Sequence, residues 1–275
     1  MSEPPSVDCH VHVLDPARFA YADGAYYRPS GQEIAPVEQL DEVLDAHDVS
    51  HALIVAPNSG YDLDNRCLLD ALARGRGRYK GIAMVRDDAS RDELEGLKAA
   101  GIVGIAFNAA LLGVERYAGI GPLLERLRDL DLCADVQVER DQLVAMRPML
   151  EASGARIVFD HAGRPDVAAG VAQPGFRALL ELAGNGRTFV KLSGYAKFAR
   201  RAQPHQDAWP FVQALVDAFT PRGLLWASDF PFLRAPMRVD YGPLVRLFAR
   251  AVPDAMARRA ILWDTPSRLF GFAAR

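Results

Sequence analysis

Four side chains in this sequence have the chemistry to act on a substrate: His10, His12, His161 and Asp229. His10 and His12 lie in "VDCHVHVLD", alternating with Cys9, Val11 and Val13. Alternate side chains of a strand share a face. The pattern therefore places Asp8, His10 and His12 on one face and Val7, Cys9, Val11 and Val13 on the other. Three imidazoles and a carboxylate at one point can hold a divalent metal such as zinc, because neutral histidine and aspartate are ordinary zinc ligands. They can also work without one. Asp229 then takes a proton from water, and the histidines donate hydrogen bonds to a carbonyl oxygen that becomes negative. Either route suits hydrolysis of an activated ester or lactone. The plainest reading is a hydrogen-bonded polar cluster without catalysis.

These residues need elements to bring them together. Eight short apolar runs read as strands: "VDCHVHV", "HALIVAP", "YKGIAMV", "IVGIAFN", "LCADVQV", "ARIVFDH", "TFVKLSG" and "GLLWASDF". Helical patterns separate them. "PVEQLDEVLDAHDV" puts Val37, Leu40, Val43 and Leu44 on one stripe, and "LDNRCLLDALARG" starts with Asp64 as a cap and ends near Gly75. "IGPLLERLRDL", "DQLVAMRPMLEAS", "FRALLELAGN", "WPFVQALVDAF" and "YGPLVRLFARAV" continue the series. Strands alternating with helices pair in parallel. Eight such units closing on themselves make an α/β fold, a (β/α)8 TIM barrel, in a single domain over residues 1–275. The rival, an open doubly wound sheet, usually has a glycine-rich first turn, and "LDPARF" is not one. Barrel chemistry sits at the carboxyl ends of the strands. The inward residues there are His10, His12, Asn108, Gln137, His161 and Asp229.

The bulk properties exclude several classes. The formal charge is −3, with no basic run for nucleic acid and no acidic tail. The three cysteines are scattered and odd in number, which argues for a reducing compartment over a disulfide framework. "MSEPPS" lacks the basic and apolar regions of a signal peptide, and no apolar run is long enough to span a bilayer. The expectation is a cytoplasmic protein acting on a small lactone or carboxylic acid, with no nucleic acid or membrane partner. A homodimer is left open.

The set "DCHVHV", "DNRCLLDAL", "FDHAGRPD", "VKLSG", "WASDFPF" and "DTPSRLFGF" resembles the amidohydrolase superfamily over nearly the whole chain. It looks most like the lactonase branch of 2-pyrone-4,6-dicarboxylate lactonase and related sugar-lactone hydrolases. The resemblance implies a (β/α)8 barrel, with His10 and His12 as the first-strand histidines and His161 as the sixth-strand histidine. Asp229 matches the water-activating aspartate of the eighth strand. Binuclear relatives carry a carboxylated lysine on the fourth strand, where this chain has Asn108, and decarboxylase relatives a fifth-strand histidine, where it has Gln137. The lactonases resembled are described as working without a divalent metal, so the resemblance favours no cofactor. The alternative is a single divalent metal such as zinc on His10, His12, His161 and Asp229, in a hydrolase or decarboxylase. Relatives show Gly-Val-Arg-Phe-Asn where this chain reads "GIAFN", with Ala106 for the carboxylate-binding arginine. Lys197 in "GYAKFARR" is expected to substitute as a point charge. The expected activity is opening of a carboxylated or sugar-derived lactone. A barrel that binds a small acid without turnover is the further alternative.

The expected substrate-binding set is Asn108, Gln137, Tyr195, Lys197, Arg164 and Arg28. "RFAYADGAYYRPSGQE" is expected to supply a lid through Phe19, Tyr21, Tyr26, Tyr27 and Arg28. Arg66 is expected to pair with Asp62 or Asp64, and Arg234 and Arg238 follow a strand end. Asp160 is expected to point outward and to support the site by hydrogen bonding to its residues, Lys191 to be a buried partner of a carboxylate, and His205 to lie on a surface loop. His47 and His51 read as structural.

Overall fold

The apolar runs form strands and the amphipathic runs form helices, in alternation, in a computed structural model that describes residues 5–274. The strands are β1 (Val7–Val11), β2 (His51–Val55), β3 (Tyr79–Ala83), β4 (Ile102–Asn108), β5 (Cys133–Gln137), β6 (Arg156–Phe159), β7 (Thr188–Leu192) and β8 (Leu224–Trp226). They form one parallel sheet in sequence order. The main following helices are α1 (Val37–Asp45), α2 (Arg66–Gly75), α3 (Arg91–Ala99), α4 (Gly121–Asp129), α5 (Gln142–Ser153), α6 (Pro174–Leu180), α7 (Trp209–Phe219) and α8 (Tyr241–Ala251). The architecture is a nearly closed (β/α)8 barrel.

The seam between β8 and β1 is held beyond the strands proper. The His12 N–H donates to the Phe230 carbonyl at 2.7 Å, and the Asp229 N–H donates to the His10 carbonyl at 3.0 Å. Closure of the ring therefore brings the His-x-His segment and the aspartate together, although 219 positions separate residues 10 and 229 in sequence.

Two layers of apolar side chains support this frame. Val7, Cys9, Leu53, Val55, Ile82, Val158 and Leu225 pack in one cluster, joined by Leu269, Phe270 and Phe272 from the carboxyl-terminal segment. Val11, Ile54, Leu68, Ile105 and Leu124 belong to the larger cluster between strands and helices. Burying each such side chain contributes about 1.5–3 kcal/mol. Strands covered on both faces read as continuous apolar runs, which is why all eight show in the sequence.

β1 departs from simple alternation. Val7 and Cys9 join the inner cluster, whereas Val11 joins the outer one. The register against β2 shifts between Asp8 and Val11. Such bulges re-aim side chains beside functional sites. Here Asp8 turns outward and accepts from Tyr241 Oη at 2.8 Å, while His10 and His12 face the cavity. The expectation that Asp8 shares the histidine face, with all the valines opposite, is therefore corrected. At α2 the residue before the helix is Asn65, and Asp64 instead accepts from the Arg66 N–H at 3.0 Å. Among the described residues, no helix is long and apolar enough to cross a membrane.

Candidate active site

Each histidine is anchored through one ring nitrogen and offers the other to a common point. His12 Nδ1 lies 2.8 Å from the Val55 carbonyl. A carbonyl only accepts, so this nitrogen carries the hydrogen and Nε2 of the neutral ring is bare. His10 Nδ1 lies 3.0 Å from Asp160 Oδ1, which accepts, and 3.1 Å from Lys191 Nζ, which donates. His161 Nδ1 lies 3.0 Å from Ser193 Oγ. The three Nε2 atoms stand 3.8, 3.6 and 3.7 Å from Asp229 Oδ1 for His10, His12 and His161 in turn. His161 Nε2 is buried without a hydrogen-bond partner.

Burial sets the charge states. It lowers His10 to about 4 and His161 to about 3, so both rings are neutral near pH 7. Burial alone would raise Asp229, but the Lys197 ammonium, 3.4 Å from Oδ2, holds its carboxyl well below the usual range. The result is an ionised carboxylate facing three imidazole Nε2 atoms, that of His12 bare in the neutral ring.

Beneath the site lies a second charged group. Lys191, fully buried on β7, places Nζ 2.7 Å from Asp135 Oδ1 and 2.9 Å from Asp160 Oδ1. Burial opposes the ammonium, but the two carboxylates raise its pKa above that of an ordinary lysine. Burial and the neighbouring Asp160 push Asp135 up to about 7. Asp160, despite its own burial, is held far below the usual carboxylate range by His10 and Lys191. Two carboxylates thus share one ammonium, and Asp160 keeps its charge to orient His10. Asp160 therefore points inward, contrary to the strand-alternation expectation. β6 ends at Phe159, and the chain turns sharply after it.

That turn is a strained one. His161 and Ala162 have φ of +50° and +56°, and Asp229 has φ of +68°. Non-glycine residues in this region cost of order 1–3 kcal/mol each and concentrate at functional sites. Gly194, at φ +61°, lies so close to His161 that an added Cβ would stand 2.4 Å from its ring. The site therefore depends on local backbone strain and on one obligatory glycine.

A cavity of about 370 Å³ opens above these groups, at the carboxyl ends of the strands. Of the six expected substrate-binding residues, Asn108, Gln137, Lys197 and Arg164 line it. Asn108 Nδ2 donates to Asn58 Oδ1 at 2.9 Å, and its Oδ1 accepts from the Leu111 N–H at 3.1 Å. Arg164 pairs with Glu139 at 2.9 Å.

The other two are corrected. Tyr195 is buried outside the cavity, with its ring against Phe198 and His205. Arg28 is turned back onto its own loop, donating to the carbonyls of Ala22 and Asp23. His205 is buried, not on the surface, and its Nδ1 lies 3.0 Å from the Arg201 carbonyl. Arg66 pairs with Asp64 as expected. Of the proposed lid residues, Tyr26 lines the cavity, while Phe19 and Tyr21 pack against the core. Asp135, Asn58 and Ser59 were not singled out in the sequence. The available signal was a carboxylate inside the apolar run of β5 and two short polar side chains just after β2.

A barrel that delivers two histidines from its first strand, one from its sixth and an aspartate after its eighth to a single point has the architecture of a hydrolase of the amidohydrolase type. The chain belongs to that family: residues 7–272 match the family described as Amidohydrolase. Among its relatives is a 4-sulfomuconolactone hydrolase of Rhizobium radiobacter. It is 33% identical over 276 residues, covering 96% of this chain and 89% of the relative. A 2-pyrone-4,6-dicarboxylate hydrolase of Comamonas testosteroni is 27% identical over 96% of this chain and 90% of its own length. Among solved structures, a Pseudomonas putida protein provisionally named a 2-pyrone-4,6-dicarboxylic acid hydrolase has a TM-score of 0.86. It is 30% identical, with 98% of each chain covered.

Proposed function

We propose that this protein is a hydrolase that opens a lactone ring, with Asp229 as the base. The observation that carries the reading is the convergence of three imidazole Nε2 atoms on the Asp229 carboxylate, at the base of a cavity large enough for a single ring. The family's lactone-hydrolysing relatives supply the bond type. Asp229 accepts a proton from water as the water oxygen adds to the lactone carbonyl carbon. The ring C–O bond then breaks, and the proton passes to the leaving ring oxygen. Lys197, beside Asp229 Oδ2, keeps the base ionised between turnovers.

The tautomers bear on the metal. The metal-free role expected for the histidines needs an N–H on Nε2, to donate to the developing oxyanion. In the neutral form of His12 that hydrogen is on Nδ1, committed to Val55, whereas His10 Nδ1 stands between an acceptor, Asp160 Oδ1, and a donor, Lys191 Nζ. Bare Nε2 atoms are metal-ligand lone pairs. His10, His12 and Asp229 also lie close enough together to hold one ion. The donor set, with the orphaned His161 Nε2, therefore fits a single divalent cation, the alternative to the metal-free expectation. Such a cation would supply Lewis-acid polarisation of the carbonyl.

A panel of carboxylated, sulfonated and sugar-derived lactones, followed by pH-stat with parallel elemental analysis, tests both parts. The expected outcome is catalysed acid release with about one bound divalent ion per chain, and activity that chelation removes and readdition restores. Release of carbon dioxide from an aromatic acid, without lactone opening, would replace the reading with the decarboxylase alternative. Ligand binding without any turnover would replace it with the non-catalytic one.

A further inference from the structure

The cations lining the cavity differ in whether a resident carboxylate neutralises them. Arg164 has Glu139, and Lys197 has Asp229. Arg234, on the loop after β8, also lines the cavity, yet its guanidinium has no ion-pair partner among the described residues. It is instead held by aromatic faces. Its guanidinium carbon stands 5.5 Å from the Tyr26 ring centroid and 5.4 Å from that of Tyr27. Aromatic faces attract a cation without cancelling its charge.

The loop that carries it is pinned as well. The Arg234 N–H donates to Glu33 Oε1 at 2.6 Å, and the other Glu33 oxygen accepts from Tyr27 Oη. Tyr26 Oη lies 3.2 Å from Ser59 Oγ, and both residues line the cavity. One side of the mouth therefore presents an uncompensated guanidinium and two hydroxyls. β4 lines the cavity through Ala106, Phe107 and Asn108, none of them charged.

We propose that Arg234, clamped by Tyr26, Tyr27 and Glu33, receives a single anionic substituent of the substrate, a carboxylate or a sulfonate, at the cavity mouth. This makes it a specificity-determining residue for a singly charged lactone, and it rests on the lactonase reading above. A planar guanidinium matches the paired oxygens of either anion. With Arg164 and Lys197 already paired, the cavity has one free cation to offer among its described lining residues, which selects a monoanion over a dianion.

The test compares hydrolysis of muconolactone, of its analogue with sulfonate in place of carboxylate, and of its uncharged carboxamide. The wild type is expected to favour the two charged lactones by about 10- to 100-fold in kcat/KM, chiefly through KM, the effect of one hydrogen bond to a charged group. Arg234→Met is expected to lose that preference and Arg234→Lys to recover part of it. Arg238→Met serves as the control, since Arg238 is engaged by Asp240, and keeps the preference. A purely structural role for Arg234 would slow charged and uncharged lactones alike. Equal rates for the three lactones in the wild type, or an undiminished preference in Arg234→Met, overturns the proposal while leaving lactone hydrolysis standing. If no lactone is opened, the lactonase reading fails, and calorimetric titration with muconolactone decides the receptor. Binding lost in Arg234→Met supports it. Equal binding, or none to the wild type, overturns it.

Discussion

Asp229 combines charge, burial and an unfavourable backbone angle in one residue. Its carboxylate is almost shut off from bulk water, and its φ of +68° lies where asparagine and aspartate are the least strained non-glycine residues. Asp229→Asn therefore keeps the turn and the shape of the side chain while removing the proton acceptor. The expected outcome is a circular dichroism spectrum and thermal midpoint near those of the parent, with kcat reduced about 10²- to 10⁴-fold, the usual value of a general base. A variant that still opens the preferred lactone at the parental rate would sink the assignment of Asp229. At this scale the sequence was readable where a residue type is rare, as with three of the six histidines, which the structure brings together beside Asp229. It was less so where the role depends on a neighbour. Lys191 was expected to meet a carboxylate and meets two, Asp135 and Asp160. Asp160 itself was placed on the wrong face, because the turn after β6 is not encoded in any periodicity.

The elements matter through the angles at which they end. β7 leads into Gly194, whose missing side chain is what allows the His161 ring its position. Gly194→Ala would force a Cβ to 2.4 Å from that ring, at a φ of +61° that costs an L-residue about 1–2 kcal/mol. The ring, held only by Ser193 and packing, is the part that gives way. Gly194→Ala is therefore expected to weaken divalent-ion affinity and lactone opening more than tenfold while losing only a few kcal/mol of stability. Metal titration alongside urea unfolding separates the two, and unaltered ion affinity would show that the ring has another position open to it. The eight strands were legible because each is covered on both faces. α3 was not, since only Leu94 of that helix is buried and most of the rest is charged and exposed. The β1 bulge was hidden too: alternation is assumed when a sequence is read, and a one-residue slip in register leaves composition unchanged.

Across the whole molecule, the buried titratable groups oppose one another in their effect on stability. His10 and His161 have folded-state pKa values lowered to about 4 and about 3. Each contributes stability that is complete above the unfolded value near 6.5 and is lost as pH falls from there. Asp8 and Asp135 run the other way, with burial raising them to about 6 and about 7. Their contribution is complete below the unfolded value near 4 and is lost as pH rises through the folded values. Between about pH 4 and 6 two groups of each sign titrate, each worth about 1.4 kcal/mol per pH unit, so their slopes cancel. Below pH 4, Asp160 and Asp229, held far under the usual range, withdraw stability as the unfolded carboxylates take up protons. The metal-free protein is therefore expected to show a nearly level urea midpoint from about pH 4.5 to 6, followed by a steep fall in more acid solution. Asp8→Asn unbalances the set. Its amide oxygen can still accept from the Ser228 and His10 N–H groups, and its amide nitrogen can donate to Tyr241 Oη, so the fold is retained. One histidine then titrates unopposed, and stability should decline on acidification by about 1.4 kcal/mol per pH unit across that window. If Asp8→Asn stays as level as the parent, Asp8 is ionised throughout the window and its burial does not hold the proton.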